Sequence, residues 1–269
     1  MPELPEVETI VRELSPLVAG QQILKIEVRD DKLAGCSLCS LEKSTILKTR
    51  RIGKQVVIDL ATGEDDATFL HLAIHLRMTG RLLWLEAQSA KPPYARVIFY
   101  LSRGRLAFCD MRRFGTLRIH RSIDTLLPKG VEPLSNELTA RRLEQLLGDT
   151  EQEIKPWLLR QDRLVGVGNI YASEVLFTAR LSPFRKAGSI NRTEIQRLLK
   201  SLRKLLKAAI LHCGTTFSDF QSVRGQSGEF GGFLKVYKKE DQPCPRCGQP
   251  ILRTVQQGRS TFYCSACQT

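Results

Sequence analysis

The sequence predicts an α+β fold in which a helix leads into a β-sandwich or flattened barrel, a helical domain follows, and a four-cysteine zinc ribbon closes the chain. Three observations carry that prediction. Apolar spacing changes from a helical period of about 3.6 to short alternating runs near Gln22, and returns to the helical period beyond Ser135. A stretch bearing Pro128, Gly130 and Pro133 lies at the second change. Two Cys-x-x-Cys pairs stand sixteen residues apart near the C-terminal end.

Val7, Ile10, Val11, Leu14, Leu17 and Val18 form one apolar helix face, and the helix is expected to end near Gly20. From residue 22 to about 120 the runs 22–29, 55–60, 96–101 and 104–109 alternate or are β-branched, with turns at Thr62-Gly63 and Arg103-Gly104. Residues 121–135 have few apolar positions and form the expected hinge. Beyond them, 138–147, 154–159, 170–177 and 193–212 suit helices, the last with Leu198, Leu199, Leu202, Leu205 and Leu206 at helical spacing. The expected division is therefore a sandwich domain over 1–120, a linker over 121–135, a helical domain over 136–232 and a zinc domain over 233–269.

Forty-one Lys and Arg against 28 Asp and Glu leave a net charge of +13, which points to an anionic partner. No stretch approaches the roughly 18 apolar residues of a membrane span, and the first residues lack the layout of a signal peptide. A membrane or secreted protein is therefore not expected. The last helix carries Arg192, Arg197, Lys200, Arg203, Lys204 and Lys207, which suit a solvated face or a nucleic-acid surface. Of the eight cysteines, Cys36 and Cys39 have no second pair at ribbon spacing and read as incidental, while Cys109 and Cys213 read as buried thiols.

Cys244, Cys247, Cys264 and Cys267 supply four thiolates from two knuckles, the closed tetrahedral shell of one structural Zn2+ with no position open for catalysis. The loop 256–260 becomes the tip of a metal-held hairpin. From Phe233 onward six Lys or Arg face two acids, which suits a phosphate backbone, although zinc ribbons also serve as protein contacts.

The terminal run Met1-Pro2-Glu3-Leu4-Pro5-Glu6 has two readings. Removal of Met1 frees a secondary amine on Pro2, and an α-amino group with pKa of about 8 is a competent nucleophile at neutral pH. Glu3 and Glu6 would then supply a general acid and a charge stabiliser. In the other reading the prolines delay helix onset and the acids complement the helix dipole.

The ordered motifs PELPEVET at 2–9, HLRMTG at 75–80, DMRRFG at 110–115, EPLS at 132–135, KPWL at 155–158, GVGNIYASEVLF at 166–177, GTTFSDF at 214–220 and GRSTFYC at 258–264 span nearly the whole chain. Through them the sequence closely resembles the bacterial formamidopyrimidine-DNA glycosylases, which repair 8-oxoguanine. The resemblance implies a bifunctional glycosylase and abasic-site lyase of base excision repair, acting on duplex DNA with oxidised purines or abasic sites. It implies that Pro2 attacks C1′ of the damaged nucleotide, expels the base and holds the sugar as a Schiff base, after which elimination cuts both flanking phosphate bonds.

The same resemblance assigns Glu3 to proton transfer during sugar opening and Glu6 to support of the site. Lys54 holds a phosphate beside the lesion and serves in elimination. His75, Asn169 and Arg259 are further phosphate contacts, Arg259 counted with Pro2, Glu3 and Lys54 among the catalytic residues, and they are expected to converge in an interdomain cleft, with Asn169 in a helix-two-turn-helix element. Met78, Arg112 and Phe114 fill the gap left by the everted nucleotide, which has to leave the stack for chemistry. Lys155 is placed near the lesion pocket, and residues 221–232 match a mobile loop over the lesion. Departures from the family pattern are Lys91-Pro-Pro-Tyr94 in place of a histidine-rich segment, Arg77 for a common glycine and Met111 for a common proline. A monomer in the bacterial cytoplasm, associated with the nucleoid through DNA, is the expected state. The rivals are a paralogous glycosylase of the endonuclease VIII type, selective for oxidised pyrimidines, and a catalytically silent damage-binding protein.

Overall fold

The computed structural model describes residues 1–35, 37–63, 68–217 and 220–269. The expectation for Cys36, and Ser218 and Asp219 of the 214–220 motif, lie outside the described residues. The chain forms two compact units, residues 1–127 with 212–229, and residues 128–211 with 230–269.

In the first unit, helix α1 (Leu4–Val18) is followed by strand β1 (Ile23–Val28), the short helix α2 (Asp31–Ala34) and strands β2 (Thr45–Ile52), β3 (Gln55–Thr62), β4 (Thr68–His75), β5 (Gly80–Leu85), β6 (Ala95–Leu101), β7 (Arg105–Asp110) and β8 (Thr116–His120). Two four-stranded antiparallel sheets result, ordered β1-β6-β7-β5 and β2-β3-β4-β8. Of the two expected architectures, the sandwich is the one formed. Alternate residues of both sheets enter one core: Val56, Ile58, Leu60, Leu72 and Ile74 from one, Val97, Phe99, Leu101, Leu106 and Phe108 from the other. Val7, Ile10, Leu14 and Val18 of α1 join the same core, as the helical spacing predicts. The ion pair between Glu8 and Arg51, at 3.0 Å, ties α1 to β2.

The second unit holds α3 (Ala140–Leu147), α4 (Ile154–Leu158), α5 (Asn169–Ala179), α6 (Arg192–Leu211) and a terminal hairpin of β9 (Leu252–Gln256) and β10 (Arg259–Tyr263). Helix α5 is buried along most of its length, and α6 packs on it with Ile195, Leu198, Leu202 and Leu206 turned inward. The hairpin region joins α5 through a core of Phe177, Val236, Ile251 and Phe262, and the Arg246 guanidinium lies 4.6 Å from the centroid of the Phe177 ring.

These units divide the chain differently from the expected domains. Residues 212–229 go with the sandwich because Phe220 and Val223 enter its core and Glu13 accepts the Val223 N–H at 3.1 Å. Residues 230–269 go with the helices because Glu174, fully buried on α5, accepts the backbone N–H groups of Lys235, Val236 and Tyr237 at 2.9, 2.8 and 2.8 Å. One cysteine expectation also changes: Cys109 is buried, and burial pushes its thiol up to about 11, but Cys213 is exposed in the turn after α6. No helix among the described residues is long and apolar enough to cross a membrane.

Glu174→Ala removes the acceptor of three N–H donors at once, the buried Val236 N–H among them, and is expected to lower stability by on the order of 3 kcal/mol. Thermal unfolding of the zinc-loaded chain checks this, and an unchanged Tm would contradict it.

Candidate active site

Met1 is half-exposed, while Pro2, Glu3 and Glu6 at the head of α1 are buried. Glu3 is the N-cap in an extended conformation, and its N–H donates to Glu6 Oε2 at 2.8 Å. That N–H belongs to the Pro2–Glu3 peptide, so the Glu6 carboxylate fixes the direction in which Pro2 leaves the helix. The other oxygen, Oε1, accepts the Thr215 N–H at 2.8 Å. Gly214 permits this approach: a Cβ there would lie 2.8 Å from Glu6 Oε1, and its φ of +76° is in the left-handed region. Glu6 is thus an internal bridge rather than a solvated charge at a helix end.

Lys54 and His75 meet across one hairpin. Gly53 at φ +59° and Lys54 form the two-residue turn between β2 and β3, with glycine at the first central position. Gln55 pairs with His75 at the end of β4, which brings the imidazole close enough to feel the Lys54 charge. His75 Nδ1 accepts the Arg77 N–H at 3.0 Å, which leaves Nε2 as the donor of the neutral ring. Burial, reinforced by the Arg77 and Lys54 charges, holds the His75 pKa down at about 4. The ring is therefore neutral near pH 7, a hydrogen-bond donor beside the Lys54 charge.

Met78, Arg112 and Phe114 stand together on the surface of the same unit. Met78 and Phe114 are 45% and 48% exposed, which excludes core packing for both. The Arg112 guanidinium sits 4.7 Å from the Phe114 ring centroid, and its Nη1 is 3.4 Å from Met78 Sδ. Buried Asp110 shapes their loop: Oδ2 accepts the Phe114 and Gly115 N–H groups at 2.8 and 2.7 Å, and Oδ1 accepts the Arg112 N–H at 3.2 Å and the Thr79 hydroxyl. Gly115 has no room for a side chain, since a Cβ would come within 2.5 Å of Phe108.

In the second unit Asn169 opens α5. Its Oδ1 accepts from Lys155 Nζ at 2.8 Å and its Nδ2 donates to the Ser260 carbonyl at 2.9 Å, which Lys155 also reaches at 3.2 Å. Lys155 is completely buried, and its Nζ ties Asn169 to the hairpin. Arg259 is exposed beside the Gln257-Gly258 turn, where both residues have positive φ as a tight two-residue hairpin requires. A cavity of about 410 Å³ beside Asn169 is lined by Tyr237, Lys238, Arg253 and Ser260.

The sulfurs of Cys244, Cys247, Cys264 and Cys267 all lie within 4.8 Å of one another. A tetrahedral zinc with Zn–S bonds of about 2.3 Å needs S···S separations near 3.8 Å, and the pairs Cys244–Cys267 and Cys247–Cys264 stand at 3.9 and 3.4 Å. The donor set fits one structural zinc. Its fourfold shell serves folding and leaves no site for substrate.

Asp110 and Glu174 are the structural residues that sequence reasoning passed over. Both stand inside quoted motifs, DMRRFG and GVGNIYASEVLF, and the signal for Asp110 was an aspartate at a strand end just before a turn, where it collects backbone N–H groups. Arg77 has φ +54°, which accounts for the glycine expected there: the arginine occupies a conformation that glycine takes without steric penalty. Lys91 of the Lys91-Pro-Pro-Tyr94 departure pairs with Glu27 at 2.8 Å, and no structural reason for Met111 is evident.

Residues 1–117 match the formamidopyrimidine-DNA glycosylase N-terminal domain, 129–221 the H2TH domain of the same enzymes, and 241–269 a zinc finger found in FPG and IleRS. The formamidopyrimidine-DNA glycosylase of Pelotomaculum thermopropionicum is 41% identical, over 100% of this chain and 99% of its own. A mutant Lactococcus lactis FPG bound to DNA containing Fapy-dG superposes with a TM-score of 0.90 at 30% identity, covering 99% of each chain. The Lactococcus lactis Fpg bound to DNA with an abasic site gives 0.89 at 30% identity, again over 99% of each chain.

A histidine whose folded pKa is about 4, below the ordinary 6.5, binds its proton more readily when unfolded. Its contribution to stability is complete above about pH 6.5 and is lost as pH falls toward 4. Arg77→Gly removes one charge acting on the ring but keeps the N–H to Nδ1, so His75 is expected to titrate above its wild-type value. An NMR titration checks this, and identical His75 curves in the two proteins would contradict it.

Proposed function

The chain belongs to the formamidopyrimidine-DNA glycosylase family, and on that premise we propose that its Pro2 amine, freed by removal of Met1, is the nucleophile of base excision on oxidised purines in duplex DNA. The protein is a DNA glycosylase and abasic-site lyase of base excision repair that carries one structural zinc. What supports the assignment to Pro2 is the hydrogen bond from the Glu3 N–H to Glu6, which orients the residue that would bear the amine.

The Pro2 nitrogen lone pair attacks C1′, and the C1′–base bond breaks with the electrons leaving on the base, which takes up the proton that the nitrogen gives away. The sugar ring opens as Glu3 delivers a proton to its oxygen, and the resulting iminium joins Pro2 to C1′. The iminium acidifies the C2′ proton, whose loss expels the 3′ phosphate, and the conjugated iminium then acidifies the C4′ proton, whose loss expels the 5′ phosphate. Lys54, with neutral His75 beside it, holds the phosphate next to the lesion, and its ammonium supplies a proton during elimination. Asn169 and Arg259 contact the backbone from the second unit, supported by the buried Lys155.

Met78, Arg112 and Phe114 enter the duplex where the nucleotide is turned out, Met and Phe replacing stacking and Arg meeting the unpaired base opposite. Their exposure and mutual contact support that role. In the proposed organisation the sandwich unit, residues 1–127 with 212–229, carries the catalytic end, and the unit of residues 128–211 with 230–269 carries the helix-two-turn-helix element and the zinc finger. The enzyme acts as a monomer on the bacterial chromosome in the cytoplasm.

Borohydride trapping on duplexes carrying 8-oxoguanine opposite cytosine, or an oxidised pyrimidine, tests the reading. The processed protein is expected to trap, with preference for the purine lesion, and protein retaining Met1 to give no adduct. Glu3→Gln is expected to slow excision by roughly 10²- to 10⁴-fold. Tight lesion binding without an adduct in processed, zinc-loaded protein would favour a binding protein, and pyrimidine preference would favour the paralogous glycosylases.

A further inference from the structure

Helix α6 carries six cations that the proposed chemistry does not use, and the structure divides them. Arg197 donates to the Ala179 carbonyl and lies 3.9 Å from Glu194. Arg203 donates to the carbonyls of Ser135 and Leu138 at 2.7 and 2.9 Å. These two hold the helix to its neighbours. Lys200, Lys204 and Lys207 are exposed, and none makes a hydrogen bond or ion pair with a described residue.

Their i, i+4, i+7 spacing puts the three ammonium groups on one narrow stripe about 10 Å long, opposite the buried Ile195, Leu198, Leu202 and Leu206. Arg192 and Gln196 continue the exposed face toward the helix start without adding a negative charge. The only acid of the helix, Glu194, is occupied by Arg185 at 3.1 Å and caps the Asn191 N–H. A helix face that serves solubility gains from alternating signs, whereas Lys200 and Lys204 are like charges at i, i+4, an arrangement that weakens a helix. Over 10 Å, duplex DNA presents a phosphate charge about every 1.7 Å of axis, so all three ammonium groups find partners on one stretch of backbone.

We propose that the Lys200, Lys204 and Lys207 stripe is a second, sequence-independent contact to the DNA backbone, separate from the residues at the lesion and used on undamaged duplex. The proposal rests on the glycosylase reading for its partner. Its energy is electrostatic and arises from release of counterions, so its signature is salt dependence rather than base preference.

The test is the affinity of the full, zinc-loaded chain for an undamaged duplex of about 30 base pairs across a salt series, for wild type, K200Q/K204Q/K207Q and K200R/K204R/K207R. The glutamine variant is expected to lower the slope of log affinity against log salt by about 2 to 3, at roughly 0.9 per phosphate contact, and the arginine variant to restore it. Excision from a short lesion duplex at saturating enzyme is expected to be unchanged, and Tm unchanged or higher. A slope that stays at the wild-type value in the glutamine variant overturns the proposal, as does a loss in both variants alike. If wild type binds DNA but excises nothing, the glycosylase reading fails while the slope comparison still decides the stripe.

Discussion

The Glu6 carboxylate is the constraint on which the catalytic end of the molecule depends. One oxygen holds the peptide between Pro2 and Glu3, and the other holds the N–H of Thr215 more than two hundred residues later. Withdrawn from water, a carboxylate is stable there only while both oxygens are satisfied, so the start of α1 and the 214–215 segment are specified together. Gly214 follows from the same requirement, because any side chain would displace the carboxylate it covers. An amine that has to meet one sugar carbon needs this kind of fixed mounting.

The same device recurs twice. Asp110 gathers the N–H groups of Arg112, Phe114 and Gly115 and so presents the Arg112 and Phe114 side chains outward. Glu174 gathers those of Lys235, Val236 and Tyr237 and ties the zinc-bearing segment to α5. In a chain of net charge +13, these three acids are spent on backbone organisation in the interior, while cations such as Arg112, Arg259 and the α6 lysines stay outside. Charge-assisted bonds to a buried carboxylate are strong enough to order irregular loops that have no ladder of their own. An interior built on acids leaves the basic surface for a polyanion.

Much of this was legible in the sequence because periodicity and spacing are local. The apolar face of α1, the zinc knuckles and the helices α3 to α6 follow from residue intervals alone, and the proposed site residues apart from Lys54 stand in the ordered motifs or the knuckles. Strands β2, β4, β5 and β8 were less distinct: a register shift between Ile46 and Lys48 breaks β2, Phe69 puts an apolar ring on the exposed face of β4, β5 carries the unbroken apolar run Leu82-Leu83-Trp84-Leu85, and β8 has only five residues. What was not legible came from long-range pairing. Nothing local tells that residues 212–229 return to the sandwich, that Lys155 is fully enclosed, or that Cys213 is exposed. Those facts depend on Glu13, Ser260 and the end of α6, which lie far away in sequence or turn on a single backbone angle.

The most direct test of this account is to locate the covalent bond. Processed protein is reduced on lesion DNA with borohydride, digested, and the attachment point mapped by mass spectrometry. The account predicts the sugar remnant on the α-nitrogen of Pro2 and on no other residue. A remnant on a lysine ε-nitrogen, Lys54 first among them, would contradict it, because the buried Glu6 bridge would then be holding in place a residue that does not react.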